Sequence, residues 1–217
     1  MPILTLQGSG KDVDIRFNWT VPSMQNTNYN SNTNMEAFYS TDFGTYRSVS
    51  LIQMPLTNLP NNVIINSATF SAYYGDKYNT PTNKVVRMNI CRRSDWVESQ
   101  ATYNIYKTGS NWGTAGALDT TDDIDTSTET TSTVPSAYGW MNWDAIDHVK
   151  HAYTNSLDFN VILRTTDNHA SAVKWFTREY ATDTSLRPKL VIEYASAASF
   201  IPGIMQHNFI PSFLGGR

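Results

Sequence analysis

The stretch YRSVSLIQMPL, residues 46–56, decides the fold. Its Tyr, Val and Ile suit a pleated, half-buried surface. Pro55 offers no amide N–H, which puts the end of the run at a sheet edge or a bulge. Runs of the same kind lie on either side: MEAFYS (35–40) before it, ATFSAYYG (68–75) and KVVRMNICR (84–92) after it. Further out, PILTL (2–6) leads through the flexible QGSG (7–10) into DVDIRFNW (12–19), which alternates polar and apolar residues. FNVILRT (159–165), AVKWFTRE (172–179) and PKLVIEY (188–194) read as closing strands. Repeated short strands with turn chemistry between them predict an all-β sandwich or barrel. QNTNYNSNTN (25–34) and the acidic, Thr-rich 116–136 read as loops, and regular structure is expected to end at Tyr194.

One segment breaks the two-residue period. In WDAIDHVKHAY (143–153), Trp143, Ile146, Val149 and Tyr153 recur at helical spacing, so a short helix is expected there, capping one open end. Its polar face carries Asp144, His148 and His151, a spacing that could hold a transition metal; a plain solvated face is favoured over that reading.

The chain has 217 residues, only 16% of them charged, and a net charge of −3. That balance gives no reason to expect nucleic acid or an anionic membrane as partner. Cys91 is the only cysteine, which excludes a disulfide framework. No apolar run approaches the ~18 residues of a membrane span. The first residues carry neither the basic nor the apolar region of a signal peptide, so a virion surface or an extracellular setting reached by another route is expected.

The last residues repeat a motif. Phe200-Ile201-Pro202-Gly203-Ile204-Met205 is followed by Phe209-Ile210-Pro211-Ser212-Phe213-Leu214, with no charge before Arg217. Ordering such a segment alone costs roughly 1–2 kcal/mol per residue, so it needs a surface to bind. Phe200, Ile201, Pro202, Ile204, Met205, Phe209, Ile210, Pro211, Phe213 and Leu214 are therefore the expected partner-binding residues of an extended docking tail over 195–217.

Several segments carry a family likeness. DWVESQATYN (95–104) resembles the Trp-x-Glu-x-x-x-Thr-Trp-Asn signature of the DNRLRE domain, with Tyr103 at the second Trp. NWGTAGALDTTDD, GWMNWDAIDHV, NVILR and FTREYATDTSLRPKLVIEY are similar to its later landmarks, in order. The likeness spans residues 12–194 and leaves 1–11 as an N-terminal strand or arm. It implies an antiparallel jelly-roll β-sandwich of the kind found on microbial and viral surfaces, related to an alginate-binding carbohydrate module. Where the family commonly has Leu-Leu-Arg-Phe-Asp, this chain has Leu51-Ile52-Gln53-Met54-Pro55, so whatever that Arg and Asp support in relatives is lost.

For chemistry, no Gly-x-Ser-x-Gly elbow is present, and Asp95, Glu98, Asp144 and Glu179 are candidate glycosidase carboxylates only through nearby aromatics. Pairing with Arg92, Arg93 or Arg178 is the favoured role for such acids. Asp residues in 119–125 lack the Gly and Glu of an EF-hand loop. Sugar binding asks for exposed aromatics flanked by hydrogen-bonding groups, with Arg or Lys for an acidic polymer. Arg92, Arg93, Tyr106, Lys107 and Trp112 form the best such patch; the alternative is that Trp96 and Trp112 are core plugs. Trp96, Trp143, Leu163, Trp175, Leu190 and Ile192 are the expected core. The leading expectation is a non-enzymatic structural or adhesive protein without cofactor, docked on a larger assembly such as a virion. The alternative is a polysaccharide-binding module for an acidic glycan.

Overall fold

The computed structural model describes residues 1–42, 44–79 and 83–197. The expected docking residues, Phe200 to Leu214, lie outside the described residues. The strands are β1 (Ile3–Gln7), β2 (Lys11–Asn18), β3 (Asn34–Ser40), β4 (Tyr46–Met54), β5 (Val63–Tyr78), β6 (Val85–Cys91), the short pair β7 (Ile105–Lys107) and β8 (Ser110–Asn111), then β9 (Ile124–Thr133) and β10 (Gly139–Asp144). After the helix α1 (Ile146–Thr154) come β11 (Phe159–Arg164), β12 (His169–Phe176) and β13 (Lys189–Ser196). All-β architecture with one short helix is the expected class, and it is what the chain adopts.

Apart from the β7–β8 hairpin, the strands form one antiparallel sheet that curls over on itself, in the order β1-β13-β5-β12-β3-β4-β11-β6-β9. Two strands turn the sheet. β5 carries β13 and then β12 along one edge, with β10 on the other. β4 carries β3 and then β11 along one edge, with β2 on the other. β4 ends at Met54, where Pro55 withdraws a donor.

Period-2 alternation decides which side chains meet inside. Ile52 and Met54 of β4, Val161 and Leu163 of β11, Phe70 of β5, Trp143 of β10, Trp175 of β12 and Leu190 and Ile192 of β13 share the main core. Each contributes roughly 1.5–3 kcal/mol on burial, more for the indoles. The helix closes one end, with Val149 and Ala152 turned into the same core. Intervening residues of the β2–β4–β11 sheet, Val13, Ile15, Val49, Leu51 and Ile162, point the other way into a second core. The segment 92–123 covers them, inserting Trp96, Ala101, Trp112 and Ala117. That segment is a cover over an otherwise apolar outer face.

Three boundaries differ from the sequence reading. Residues 124–133, expected within a loop, form β9, paired with β6 from Val85↔Thr133 to Cys91↔Ile124. β-Branched Thr tolerates the edge of a sheet, where only Ile124 of β9 is buried. Trp143 belongs to β10 and pairs with Phe70, and the helix starts after it, its first turn capped by Asp144 Oδ1 accepting from Ile146 N at 3.0 Å. The closing strand runs past the expected end at Tyr194 to Ser196; the strand expected at the N-terminus is β1, which pairs with it from Ile3↔Glu193 to Gln7↔Lys189.

Candidate functional site: an aromatic cleft at the sheet corner

The patch expected at Arg92–Trp112 is assembled by the cover, but its tryptophan is buried beneath the other members. Trp112 is 4% exposed, and its Nε1 donates to Thr102 O at 2.9 Å. An indole held that way has no face for a ligand, so Trp112 is not a stacking residue and is the core plug of the alternative reading. Tyr106 lies against it, ring centroids 5.5 Å apart, with the Arg93 guanidinium 5.0 Å and the Lys107 ammonium 5.4 Å from the Tyr106 ring. The cations are already matched: Arg92 with Asp125, Arg93 with Asp122, and Lys107 with Asp95. The acidic loop likewise closes on itself. Buried Asp123 accepts from Gly113 N, Thr114 N and Asp119 N, and Asp119 accepts from Thr121 N and Asp122 N.

The helix-face trio is also split. His148 is 2% exposed, its ring 6.5 Å from Phe159, and burial lowers its pKa. His151 and Asp144 are exposed. Glu98 and Glu179 pair with Arg178, at 2.7 and 2.8 Å, as the favoured reading of those acids had it.

An open cleft lies elsewhere, where β3 parts from β4. Ser48 and Ser50 hydroxyls of β4 donate to the Glu36 carbonyl O at 3.2 and 2.9 Å, so β3 crosses the face of β4 there. The gap beside the crossing is a cleft of about 450 Å³. Its rim carries two aromatic rings in solvent: Trp19, just past β2 and 55% exposed, and Tyr78, at the end of β5 and 58% exposed. Trp19 lies across Gly44. A Cβ on Gly44 would fall 1.7 Å from the indole Nε1, and Gly44 has φ +96°, so glycine serves twice at this position. Phe38 and Tyr46 form the wall, edge to face at 4.5 Å, and Tyr78 meets Phe38 at 6.4 Å. Asn18, Thr20 and Ser40 add hydrogen-bonding groups.

The floor is polar, and its groups are paired except for Asp14 Oδ1, which has no hydrogen-bond partner. Glu36 is 4% exposed; its Oε1 accepts from Tyr46 OH at 2.7 Å and lies 3.6 Å from Arg16 Nε. Arg16 also contacts Asp14, which is buried. One guanidinium faces two buried carboxylates, so an acid is in excess. Burial, with Glu36 nearby, pushes Asp14 up to about 7 against the pull of Arg16. Burial opposes the charge on Arg16, but Asp14 and Glu36 outweigh it and raise its pKa. Burial and Glu36 also raise the pKa of Tyr46, which stays a donor. Lys174, the other cation of the lining, lies 3.4 Å from Asp76.

Sequence reasoning missed this site for a physical reason. Trp19, Phe38, Tyr46 and Tyr78 come from four strand ends, and only the curl of the sheet brings them together. The sequence pattern pointed the other way: Trp19 closes the alternating run DVDIRFNW in phase with Val13 and Ile15, which face the second core. The sequence matches no family model, and no curated protein matches it. Among the described residues, no helix is long and apolar enough to cross a membrane.

Proposed function

We propose that this chain is a non-enzymatic β-sandwich that contacts glycans through the cleft at Trp19 and is displayed on a larger assembly, such as a virus particle, through its C-terminal segment. The observation that carries the glycan reading is the pair of solvent-facing rings at the cleft rim. Pyranose faces stack on aromatic rings, and Trp19 is held flat over Gly44 beside amide and hydroxyl groups. A pocket with aromatic walls and a few convergent polar groups is the ordinary form of a small-ligand site. The resemblance to DNRLRE domains supports the same direction.

Each cation of the cleft has a carboxylate beside it, so stacking and hydrogen bonding outweigh ion pairing, and a neutral saccharide fits better than an acidic one. The display half of the proposal rests on the repeated Phe-Ile-Pro motif of residues 200–214, whose two linked anchors would multiply affinity for a partner. The test is a glycan array read with the wild-type chain and with Trp19→Ala. Saturable binding lost in the variant supports the reading; an array blank for neutral and acidic polymers alike overturns it. For display, removing residues 198–217 should leave glycan binding intact and abolish co-purification with the assembly.

A further inference from the structure

Three acidic side chains distant in sequence meet where the cover joins the sandwich. Asp12 at the start of β2, Glu98 in the cover and Glu179 in the turn after β12 each bring a carboxylate oxygen to within 4.8 Å of the others. Backbone and guanidinium donors hold them there. Asp12 Oδ2 accepts from Arg178 N at 2.9 Å, and Glu98 Oε1 accepts from Asp12 N at 2.8 Å. Arg178 reaches Glu98 Oε2 with one nitrogen and Gly10 O with another, and its Nε lies 2.8 Å from Glu179 Oε1.

The charges do not balance. Three carboxylates face one guanidinium, and the neighbouring Lys11 is engaged by the Trp96 carbonyl and lies over the Trp96 ring at 4.1 Å. Two oxygens are left over. Asp12 Oδ1, on a side chain only 4% exposed, has no hydrogen-bond partner, and neither has Glu179 Oε2. Buried carboxylate oxygens without a donor cost free energy, and something must bridge them. Burial first, then Glu179, raises the pKa of Asp12, which is what an acid with an uncompensated neighbour does.

We propose that Asp12, Glu98 and Glu179 hold a calcium ion. An all-oxygen donor set selects a hard cation over zinc or copper. Calcium accepts six to eight oxygens in flexible geometry and can use water for the rest, whereas magnesium demands a near-ideal octahedron that carboxylates already pinned by Arg178 and backbone amides are poorly free to supply. The ion would join three chain segments: the start of β2, the cover and the turn at 177–180. Its place is structural, at the seam between the second core and the sandwich.

The experiment uses the full chain, stripped with chelator, and follows tryptophan-sensitised terbium emission together with thermal unfolding in added CaCl2. Expected are one terbium per chain, displaced by calcium, and a melting temperature raised by about 5 °C or more at a hundredfold excess over Kd. Both effects should vanish in Asp12→Asn and in Glu179→Gln, and persist in Asp122→Asn on the acidic loop. If Asp12→Asn does not fold, Glu179→Gln, at a less buried side chain, decides alone. Absence of saturable terbium emission and of any calcium shift overturns the proposal, as does binding that survives Glu179→Gln. A wild-type melting temperature that ignores calcium but climbs from pH 8 to pH 5, with the climb lost in Glu179→Gln, would show a shared proton in place of the ion.

Discussion

The cover over 92–123 and the cleft at Trp19 are built from the same residue types and arrive at opposite ends. Both combine indole, phenol, guanidinium and ammonium groups. In the cover, Trp96 and Trp112 point down into the second core, and the basic side chains above them are paired with Asp95, Asp122 and Asp125. In the cleft, Trp19 and Tyr78 stay in solvent, because the sheet corner opens beneath them and no chain segment crosses over it among the described residues. Closeness in sequence therefore gave a patch, while exposure came from topology. An aromatic next to Arg and Lys is a ligand platform only where the backbone leaves a face uncovered.

The comparison breaks most visibly with two tryptophan substitutions. Trp112→Ala should destabilise the chain by about 3–5 kcal/mol in a denaturant titration, because the indole fills the second core. Trp19→Ala should shift stability by less than about 1 kcal/mol. Its effect should appear in glycan affinity, reduced about tenfold or more, as expected for a central aromatic contact. Were Trp112→Ala to spare stability and abolish glycan binding, the roles of the two regions would be reversed.

Much of the fold was legible from residue pattern alone. The runs at 46–56, 68–75 and 84–92 are β4, part of β5 and β6, and the expected core residues Trp96, Trp143, Leu163, Trp175, Leu190 and Ile192 are all buried. Strand periodicity is a local property, and burial follows from it. What could not be read was anything that depends on the curl. The Thr-rich 124–133 looked like a solvated loop because an edge strand needs few apolar residues. Asp12 gave no signal in sequence, since its importance comes from Glu98 and Glu179 arriving from remote segments. Those two were singled out as acids near aromatics, and their pairing with Arg178 was expected; their meeting with Asp12 was not.

The cleft floor offers a pH test that the cover does not. Asp14 has its folded pKa raised from an ordinary 3.8 to about 7, so the folded state binds the extra proton between those values. Its contribution to stability is fully present below about pH 4 and is lost as pH rises through about 7. Asp14→Asn should therefore gain on wild type as pH rises from 5 to 8, in paired thermal melts at each pH. Buried His148 works in the opposite sense, since the folded state disfavours its proton, but it is common to both proteins and cancels in the difference. A difference between the two proteins that stays constant across this range would mean that Arg16 keeps Asp14 ionised throughout. Asp95 in the cover and Asp125 beside it in β9 have lowered pKa values, through hydrogen bonds from Lys107 and Ser127, so their contribution is lost only in more acidic solution.

A smaller effect is expected at Gly44. Alanine there must adopt φ near +96° and place its Cβ against the Trp19 indole, so the ring has to lift from the rim. The backbone cost is about 1–2 kcal/mol. Gly44→Ala should therefore weaken glycan binding nearly as much as Trp19→Ala while Trp19 fluorescence shifts with its changed surroundings. Gly109 makes the control: it also has positive φ, at +78°, but nothing lies within 4 Å of a Cβ there. Gly109→Ala should carry a similar backbone cost and leave glycan affinity unchanged.

The smallest expected effect is that of salt on glycan affinity, and it separates the two regions by charge alone. Exposed ion pairs weaken as ionic strength rises, because the Debye length falls from about 10 Å at 0.1 M to about 3 Å at 1 M. The cover's pairs are of that kind: Lys107 with Asp95 and Arg93 with Asp122 involve side chains open to solvent. A glycan recognised there through freed cations would be an acidic polymer whose affinity collapses with added salt. In the cleft, Arg16 is held by Asp14 and Glu36 on the floor, and Lys174 by Asp76, so a bound saccharide meets rings, amides and hydroxyls. Raising NaCl from 0.05 to 0.5 M should then change Kd by less than about twofold, since stacking and neutral hydrogen bonds are little screened. A tenfold loss over the same range would mean that a cation recognises an anionic sugar directly, and the search for the contact would return to Arg92, Arg93 and Lys107.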